Sequence, residues 1–503
     1  MICIRLNEPD FEYDIYSLFG AFYPGEPIVI SEDEAVLERK KREACETSDE
    51  PLSFCAQITY EHRDRENVKE IVCRFLSDLD GEILDEKCIP VSYRKEDPKL
   101  RKETKDTLKR MIYGMLRDRT GQTLPWGTLT GIRPTKIAME MLDRGCTPEE
   151  IARSMEETYL TSKEKREICI GIAQKEKSLL SAFPYRDGYS LYIGIPFCPT
   201  RCLYCSFTSY PLSIWQNKVD EYLEALKKEL SEVGRWMKNV PLHTVYMGGG
   251  TPTSLTAEQM DGLLSFLEDT FDLSHVLEFC VEGGRPDSFS KDKLAAMKRH
   301  PVSRISINPQ TMNEETLRTI GRAHSVEDVK RAFAMAREHD FDNINMDIIL
   351  GLPGEGEAQI CHTLDEIATL CPESLTVHSL AVKRAAKLAK ERKKYTMQNT
   401  NEWMQTVGKY ATMLGMEPYY LYRQKNMAGN LENIGYARLG REGLYNILIM
   451  EEKQTIVSCG AGGLTKVIRD GRPLRIENVK DVGVYRDRLP EMIERKRAVL
   501  TAG

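Results

Sequence analysis

The sequence predicts an α/β chain with a partial (β/α)6 TIM-like barrel at its centre, an N-terminal α+β domain before it and a small C-terminal domain after it. Three observations carry that expectation. Six short apolar runs, each followed by a helical pattern, succeed one another between residues 189 and 382, as parallel strands with helical crossovers do. The residues with chemical character sit at the C-terminal ends of those runs, where barrel enzymes place their sites. The segments on either side break the rhythm. Eight units would close a full barrel, and six leave it open. An open doubly wound sheet is the competing arrangement.

Residues 1–185 mix strand-like pieces (MICIRL, PIVIS, FCAQITYE) with helical segments such as KETKDTLKRMIYGMLRDR and TPEEIARSMEETY. Thr147 and Glu150 have the spacing of a helix-starting capping box. No chemical motif lies in this domain. The central domain, 186–382, contains the runs YSLYIGIPF (189–197), HTVYMGGG (243–250), VLEFCVE (276–282), SRISINPQ (303–310), NINMDIILGLP (343–353) and SLTVHSLAV (374–382). Residues 383–503 open with KRAAKLAKERKK, seven basic residues in twelve, either a solvated helix face or a clamp for an acidic substrate or partner. An aromatic-rich stretch, PYYLYRQKNMAGNLENIGY (418–436), and a Gly-rich one, SCGAGGLTKV (458–467), follow. The second reads equally as a hairpin turn and as a close approach to a ligand.

At 503 residues the chain exceeds what one hydrophobic core serves. Its net charge of −7 lacks the basic footprint of a nucleic-acid binder. The acidic N-terminus does not resemble a secretory signal, and no run approaches the roughly 18 apolar residues of a membrane span. A cytoplasmic location is expected. The 14 cysteines are then thiols or metal ligands rather than disulfides.

Three of them stand apart. IPFCPTRCLYCSFTSYP (195–211) carries Cys198, Cys202 and Cys205 as C-x3-C-x2-C, just after the first strand run. A cubane iron–sulfur cluster normally takes four thiolates. Three on one loop leave one iron open, and an open metal position is where substrate chemistry takes place. Zinc is the rival, but structural zinc takes four ligands, and neither a second C-x2-C pair nor a nearby histidine accompanies this one.

This motif, with Tyr204 before its last cysteine and a β/α series after it, resembles the radical S-adenosylmethionine (SAM) enzymes. Together with GGGTPT, GRAHS, MDIILGLPGE and YRQKNMAGNLENIGY it is most similar to oxygen-independent coproporphyrinogen III oxidases, of the longer branch with an extra N-terminal domain. The resemblance implies a [4Fe-4S] cluster on Cys198, Cys202 and Cys205, with SAM on the open iron. It implies SAM contacts at Tyr192, Tyr204, Gly249, Gly250, Thr251, Glu282, Gln310, Arg322, Asp347 and Ala381. It also implies an electron donor and a tetrapyrrole substrate, whose propionates would lose CO2 and become vinyl groups. Arg423 and Lys425, with Arg384 and Lys387, are the expected propionate cations.

One position departs from the pattern. The decarboxylating members carry a further cysteine two residues after the third, where this chain has Phe207. Relatives with the same loss bind and deliver haem, and others methylate it. A haem carrier needs an axial ligand, for which His378 and Cys459 are the candidates.

Overall fold

The computed structural model describes residues 1–47, 54–62, 68–92, 95–131, 133–207, 209–383, 385–391, 394–395, 397–424, 427–469 and 471–501. Contacts divide the chain into two compact units. One comprises Met1–Ile170 with Arg423–Leu431, the other Gly171–Tyr422 with Glu432–Gly503.

In the first unit, strands β1 (Ile2–Leu6), β2 (Ile28–Ser31), β3 (Phe54–His62), β4 (Val68–Leu76) and β5 (Ile83–Ser92) form one sheet in the order β2-β1-β3-β4-β5. β1 runs parallel to both its neighbours, and the rest is antiparallel. The period of two decides the faces. Ile2, Ile4 and Leu6 join Leu18, Phe19, Ile112 and Leu116 in the main core, while Cys3 turns to the other face with Leu37 and Leu76. The helix Pro98–Thr120 starts where Asp97 accepts from the Lys99 and Leu100 N–H groups and ends at Gly121, at φ +67°. The expected capping box is present, with Thr147 and Glu150 bonded reciprocally.

The second unit holds an eleven-stranded sheet and a short parallel pair, β7 (Phe197–Cys198) with β8 (Tyr210–Pro211). The sheet's strands are β6 (Tyr189–Ile195), β9 (Leu242–Gly249), β10 (Glu278–Glu282), β11 (Arg304–Gln310), β12 (Ile344–Leu350), β13 (Ser374–Ser379), β14 (Glu417–Tyr422), β15 (Asn433–Ala437), β16 (Thr455–Cys459), β17 (Leu464–Arg469) and β18 (Arg472–Glu477). The six expected runs become β6, β9, β10, β11, β12 and β13, neighbours in sequence order and all parallel. Their near-continuous burial is that of strands covered on both faces. Helices return the chain between them. Val219–Trp236 buries Val219, Tyr222, Leu223, Leu226, Leu230 and Val233 along one stripe. Capping boxes at Thr256–Gln259 and Ser325–Asp328 begin two others.

Contacts place the boundary between the two units at Ile170 and Gly171, and the C-terminal part contributes to both. Its strands extend the central sheet at both ends. β15 and β14 add antiparallel beyond β13, and β16 adds parallel to β6, followed by β17 and β18. In SCGAGGLTKV, residues 460–463 make the turn between β16 and β17. Gly460 there has φ +101°, and a Cβ on it would lie 2.6 Å from the Tyr222 hydroxyl. Glu229 ties this end down. Its carboxylate accepts from Gly460 N–H, Asn478 Nδ2, the Tyr485 hydroxyl and Lys496 Nζ, which satisfies a buried charge.

Candidate functional site

The cysteine loop leaves the sheet at the C-terminal end of β6. Its ends are clasped by the β7–β8 pair and by Tyr210 N–H on Pro196 O at 2.9 Å. The loop body is fixed from three directions. Leu203 N–H donates to Ile320 O, and Leu388 N–H donates to Leu203 O, both at 2.9 Å. Arg285, 2% exposed, grips Asp287 with two nitrogens and reaches Thr200 with the third, at 2.5 Å to its hydroxyl. Thr200 lies between Cys198 and Cys202, so Arg285 is a positioning residue for the loop.

The thiols sit in a protein-like rather than aqueous setting. Burial pushes Cys198 up to about 11, with Thr251 opposing as its hydroxyl donates to Cys198 Sγ at 3.4 Å. Burial also raises Cys205, against a bond from the Phe207 N–H. Among the described residues no three Cys, His, Asp or Glu side chains converge as on a single metal ion. A cubane spreads its thiolates over separate irons, so convergence on one point is not its requirement.

The glycine run that ends β9 brings backbone close to this loop. Thr251 N–H donates to Phe197 O at 2.7 Å, and Gly250 N–H to Ile195 O at 2.8 Å. A Cβ on Gly250 would fall 2.6 Å from Phe197 O, and one on Gly248 would fall 2.7 Å from Glu282 Oε2. Only glycine leaves that space.

Glu282 closes β10. It accepts from the Tyr246 hydroxyl and from Gly249 N–H. Burial pushes its carboxyl up to about 7, with Asp347 adding to the rise and Tyr246 and His378 opposing it. Tyr192, Tyr246 and Tyr445 stack beside it, with ring centroids 6.1 Å apart for the first pair and 4.3 Å for the second. Asp347 accepts from Asn345 Nδ2 at 2.6 Å and lies 3.8 Å from His378 Nε2. The other ring nitrogen of His378 is 3.4 Å from the Tyr422 hydroxyl.

Arg322 links two walls. It donates to Asn308 O at 2.7 Å and to the Tyr204 hydroxyl at 3.1 Å. Its Nε is buried without a partner, as are Ser306 Oγ and Asn308 Oδ1 on β11. Gln310 ends that strand at φ +69°, next to a register shift. A buried non-glycine residue in the left-handed region stores strain that accumulates at functional sites. Ala381 follows β13 at an isolated bridge.

These features fit SAM and a cluster. The orphaned Arg322 Nε, Ser306 Oγ and Asn308 Oδ1 are polar groups prepared for a ligand, Glu282 suits an ammonium, and the glycine cradle admits close backbone approach.

Arg285, Tyr246 and His324 escaped the sequence reading. Arg285 lies three residues beyond Glu282 in CVEGGRPDS, a cation at a strand end that could have been flagged. Tyr246 is placed against Glu282 by strand pairing, which opposes it to Cys280. His324, with both ring nitrogens buried and unpartnered, lies 3.9 Å from Asp287.

The expected propionate cations fare differently. Arg423 is 2% exposed. It donates to Leu129 O, to Asn430 O at 2.8 Å and to Asn430 Oδ1 at 2.7 Å, and its guanidinium lies 5.5 Å from the Trp126 ring centroid. It is an internal tie of the first unit, because burying a guanidinium requires its donors to be used on nearby acceptors. Lys387 is exposed, and Arg384 and Lys425 lie outside the described residues.

A profile of the Radical SAM superfamily matches residues 192–367. The chain is 41% identical over 404 residues to the oxygen-independent coproporphyrinogen-III oxidase-like protein HemZ of Bacillus subtilis, covering 78% of this chain and 81% of that one. It is 40% identical over 197 residues to the heme chaperone HemW of the same organism, 38% of this chain and 50% of that one. In three dimensions it is similar to the coproporphyrinogen III oxidase HemN of Escherichia coli, with a TM-score of 0.51 at 22% identity, covering 63% of this chain and 73% of that one. The chain therefore belongs to the radical SAM superfamily, within its family of oxygen-independent coproporphyrinogen III oxidase-like proteins.

Proposed function

We propose that the chain is a radical SAM oxidoreductase that decarboxylates two propionates of coproporphyrinogen III, giving protoporphyrinogen IX in haem biosynthesis. The observation that carries the radical chemistry is the set of three thiols on one loop, tied to the glycine segment by the Thr251 hydroxyl on Cys198 Sγ, in a unit that also leaves Arg322 Nε buried without a partner. The substrate comes from the relatives' names.

When bound, the cluster and SAM supply a 5′-deoxyadenosyl radical able to take a hydrogen atom from carbon. The chain's own residues prepare for that. Cys198, Cys202 and Cys205 would hold three irons. Glu282 would receive the SAM ammonium, which favours its carboxylate form over the acid that burial promotes. Gly249, Gly250 and Thr251, whose N–H groups are already bonded to Glu282, Ile195 O and Phe197 O, would admit close approach of the ligand to backbone, while Tyr192, Gln310, Asp347 and Ala381 would complete the contacts. Arg322 holds Tyr204 and β11 in place and keeps Nε for the ligand. In the overall conversion each propionate loses CO2, one hydrogen atom and one electron.

A haem chaperone is the second reading, favoured by Phe207 and by the likeness to HemW. Cys459, however, is wholly buried in β16, and both ring nitrogens of His378 face protein groups. Axial ligation by either side chain would require rearrangement.

The test is an anaerobic reaction of reconstituted protein with SAM, a reductant and coproporphyrinogen III, read by mass spectrometry. Loss of two CO2 per tetrapyrrole with 5′-deoxyadenosine supports the decarboxylase. Deoxyadenosine without decarboxylation removes this substrate, and haem binding without SAM turnover selects the chaperone.

A further inference from the structure

Phe207 stands where a cysteine was expected, and the site makes no use of its ring. The ring is 65% exposed, unusual for a phenylalanine. Its backbone N–H is bonded to Cys205, so the exposed ring and a cluster ligand belong to one short turn. Two residues of chain span at most about 7 Å. Any redox group seated on Phe207 would therefore lie close to a sulfur that would hold iron.

The surroundings of that ring are cationic. Lys383 Nζ lies 5.9 Å from the ring centroid. Arg201, within the cysteine loop, is exposed and donates to Ala385 O at 3.1 Å. The helix Lys387–Glu391 is seated on the loop by the Leu388 N–H bond to Leu203 O and by packing of Leu388 among Leu203, Leu317 and Ile320. That seating turns Lys387 and Lys390 outward, with Lys394 just beyond, all exposed. Lys387, Lys390 and Lys394, with Glu391 3.8 Å from Lys387 and 3.7 Å from Lys394, thus line the outer side of the cysteine loop. In a chain of net charge −7, this concentration of positive charge is local.

We propose that Phe207, Arg201, Lys383, Lys387, Lys390 and Lys394 form the docking surface for a small acidic electron-carrier protein, which reduces the cluster through the Cys205 edge. This rests on the radical SAM reading above. The exchange is one electron: the carrier loses it and the oxidised cluster gains it, with no bond made or broken. Charge complementarity fits the carrier. A positive rim steers an acidic protein and makes its capture salt-dependent, while the exposed aromatic supplies an apolar centre of the kind found in interfaces.

The test uses anaerobically reconstituted holoenzyme with purified flavodoxin as the acidic carrier. Binding of oxidised flavodoxin is measured by calorimetry. Reduction by flavodoxin hydroquinone is followed in a stopped-flow by bleaching of the cluster's visible absorbance, with dithionite as a small reductant in parallel. The K390E/K394E variant should bind at least tenfold more weakly, reduce at least tenfold more slowly with flavodoxin, and lose the salt dependence of the wild type. Its dithionite rate should stay within twofold. F207A should slow the flavodoxin reaction alone. If F207A loses iron, the charge-reversal variant still decides.

Unchanged flavodoxin binding and rate in K390E/K394E, or no binding by the wild type, overturns the proposal. A raised tetrapyrrole KM with unaltered flavodoxin kinetics also overturns it, because the patch would then be gripping propionates. Failure of dithionite to yield 5′-deoxyadenosine from SAM would instead strike the radical SAM reading.

Discussion

The same parallel strands end in two differently finished edges. At the N-terminal edge, Arg304 at the start of β11 is 2% exposed and bonded through both terminal nitrogens. It donates to Asn343 Oδ1 at 3.0 Å, Arg441 O at 2.8 Å and Ser374 Oγ at 2.8 Å. Glu278, at the start of β10, accepts from the Leu444 and Tyr445 N–H groups at 2.8 and 3.2 Å. At the C-terminal edge the buried polar groups are left incomplete. Arg322 Nε, Ser306 Oγ and Asn308 Oδ1 lack partners, and Gln310 is strained. An unpaired buried polar atom costs about 1–3 kcal/mol. One edge spends its polar groups on the fold, whereas the other holds them ready for a ligand.

The largest effect that would break this contrast concerns the cysteines. Replacing Cys198, Cys202 or Cys205 with Ala should abolish 5′-deoxyadenosine formation and the visible absorbance of the reconstituted cluster. The urea midpoint of the apo-protein should move little, because these thiols hold no part of the sheet together. Iron retained at wild-type level in all three variants would remove the assignment.

Next in size is the N-terminal edge. Arg304→Leu strips three acceptors of their charged donor, at a cost of roughly 3 kcal/mol, read as a lower urea midpoint for the apo-protein. SAM affinity in whatever folds should be close to normal. Arg322→Leu should show the reverse balance. Its effect on apo stability should be smaller, since one of its donors is already unused, while SAM binding weakens about tenfold, as loss of a charged hydrogen bond implies. Equal stability losses for the two variants would erase the distinction between the edges.

Much of this was legible in the sequence, and the exceptions have a physical pattern. The six parallel strands could be read because each is a β-branched run followed by a helix of its own, so the signal is local. The spacing of Cys198, Cys202 and Cys205 could be read for the same reason, whereas Gly249, Gly250 and Glu282 were expected only through the family resemblance. What tertiary pairing decides was not legible. Tyr246 meets Glu282 only because β9 and β10 adopt one register. Arg285 reaches Thr200 across 85 residues. β16 completes the parallel set from the far side of β6, more than 260 residues along the chain. The aromatic run around Arg423 was visible as aromatic and basic, but not which unit would bury it.

The smallest effect sharpens the contrast most, because it separates ligand readiness from stability within one residue. Burial sets Glu282 at about 7 in the folded protein, against roughly 4.3 for an exposed glutamate. Between those values the folded state holds a proton that the unfolded state has lost. Apo-protein stability should therefore fall as pH rises from 4.3 to 7, by on the order of 4 kcal/mol given about 1.4 kcal/mol per pKa unit, and level off above. SAM binding should run the other way. Its ammonium requires the carboxylate, so affinity should climb through pH 7. It should decline again as the α-amino group, with an ordinary pKa near 8, loses its proton. Glu282→Gln should flatten the rise in binding while raising apo stability at pH 8, because the buried charge is gone. A urea series at pH 5, 6, 7 and 8 with and without SAM reads both slopes. Parallel slopes for stability and binding would mean that Glu282 serves the fold, as Glu278 does at the opposite edge.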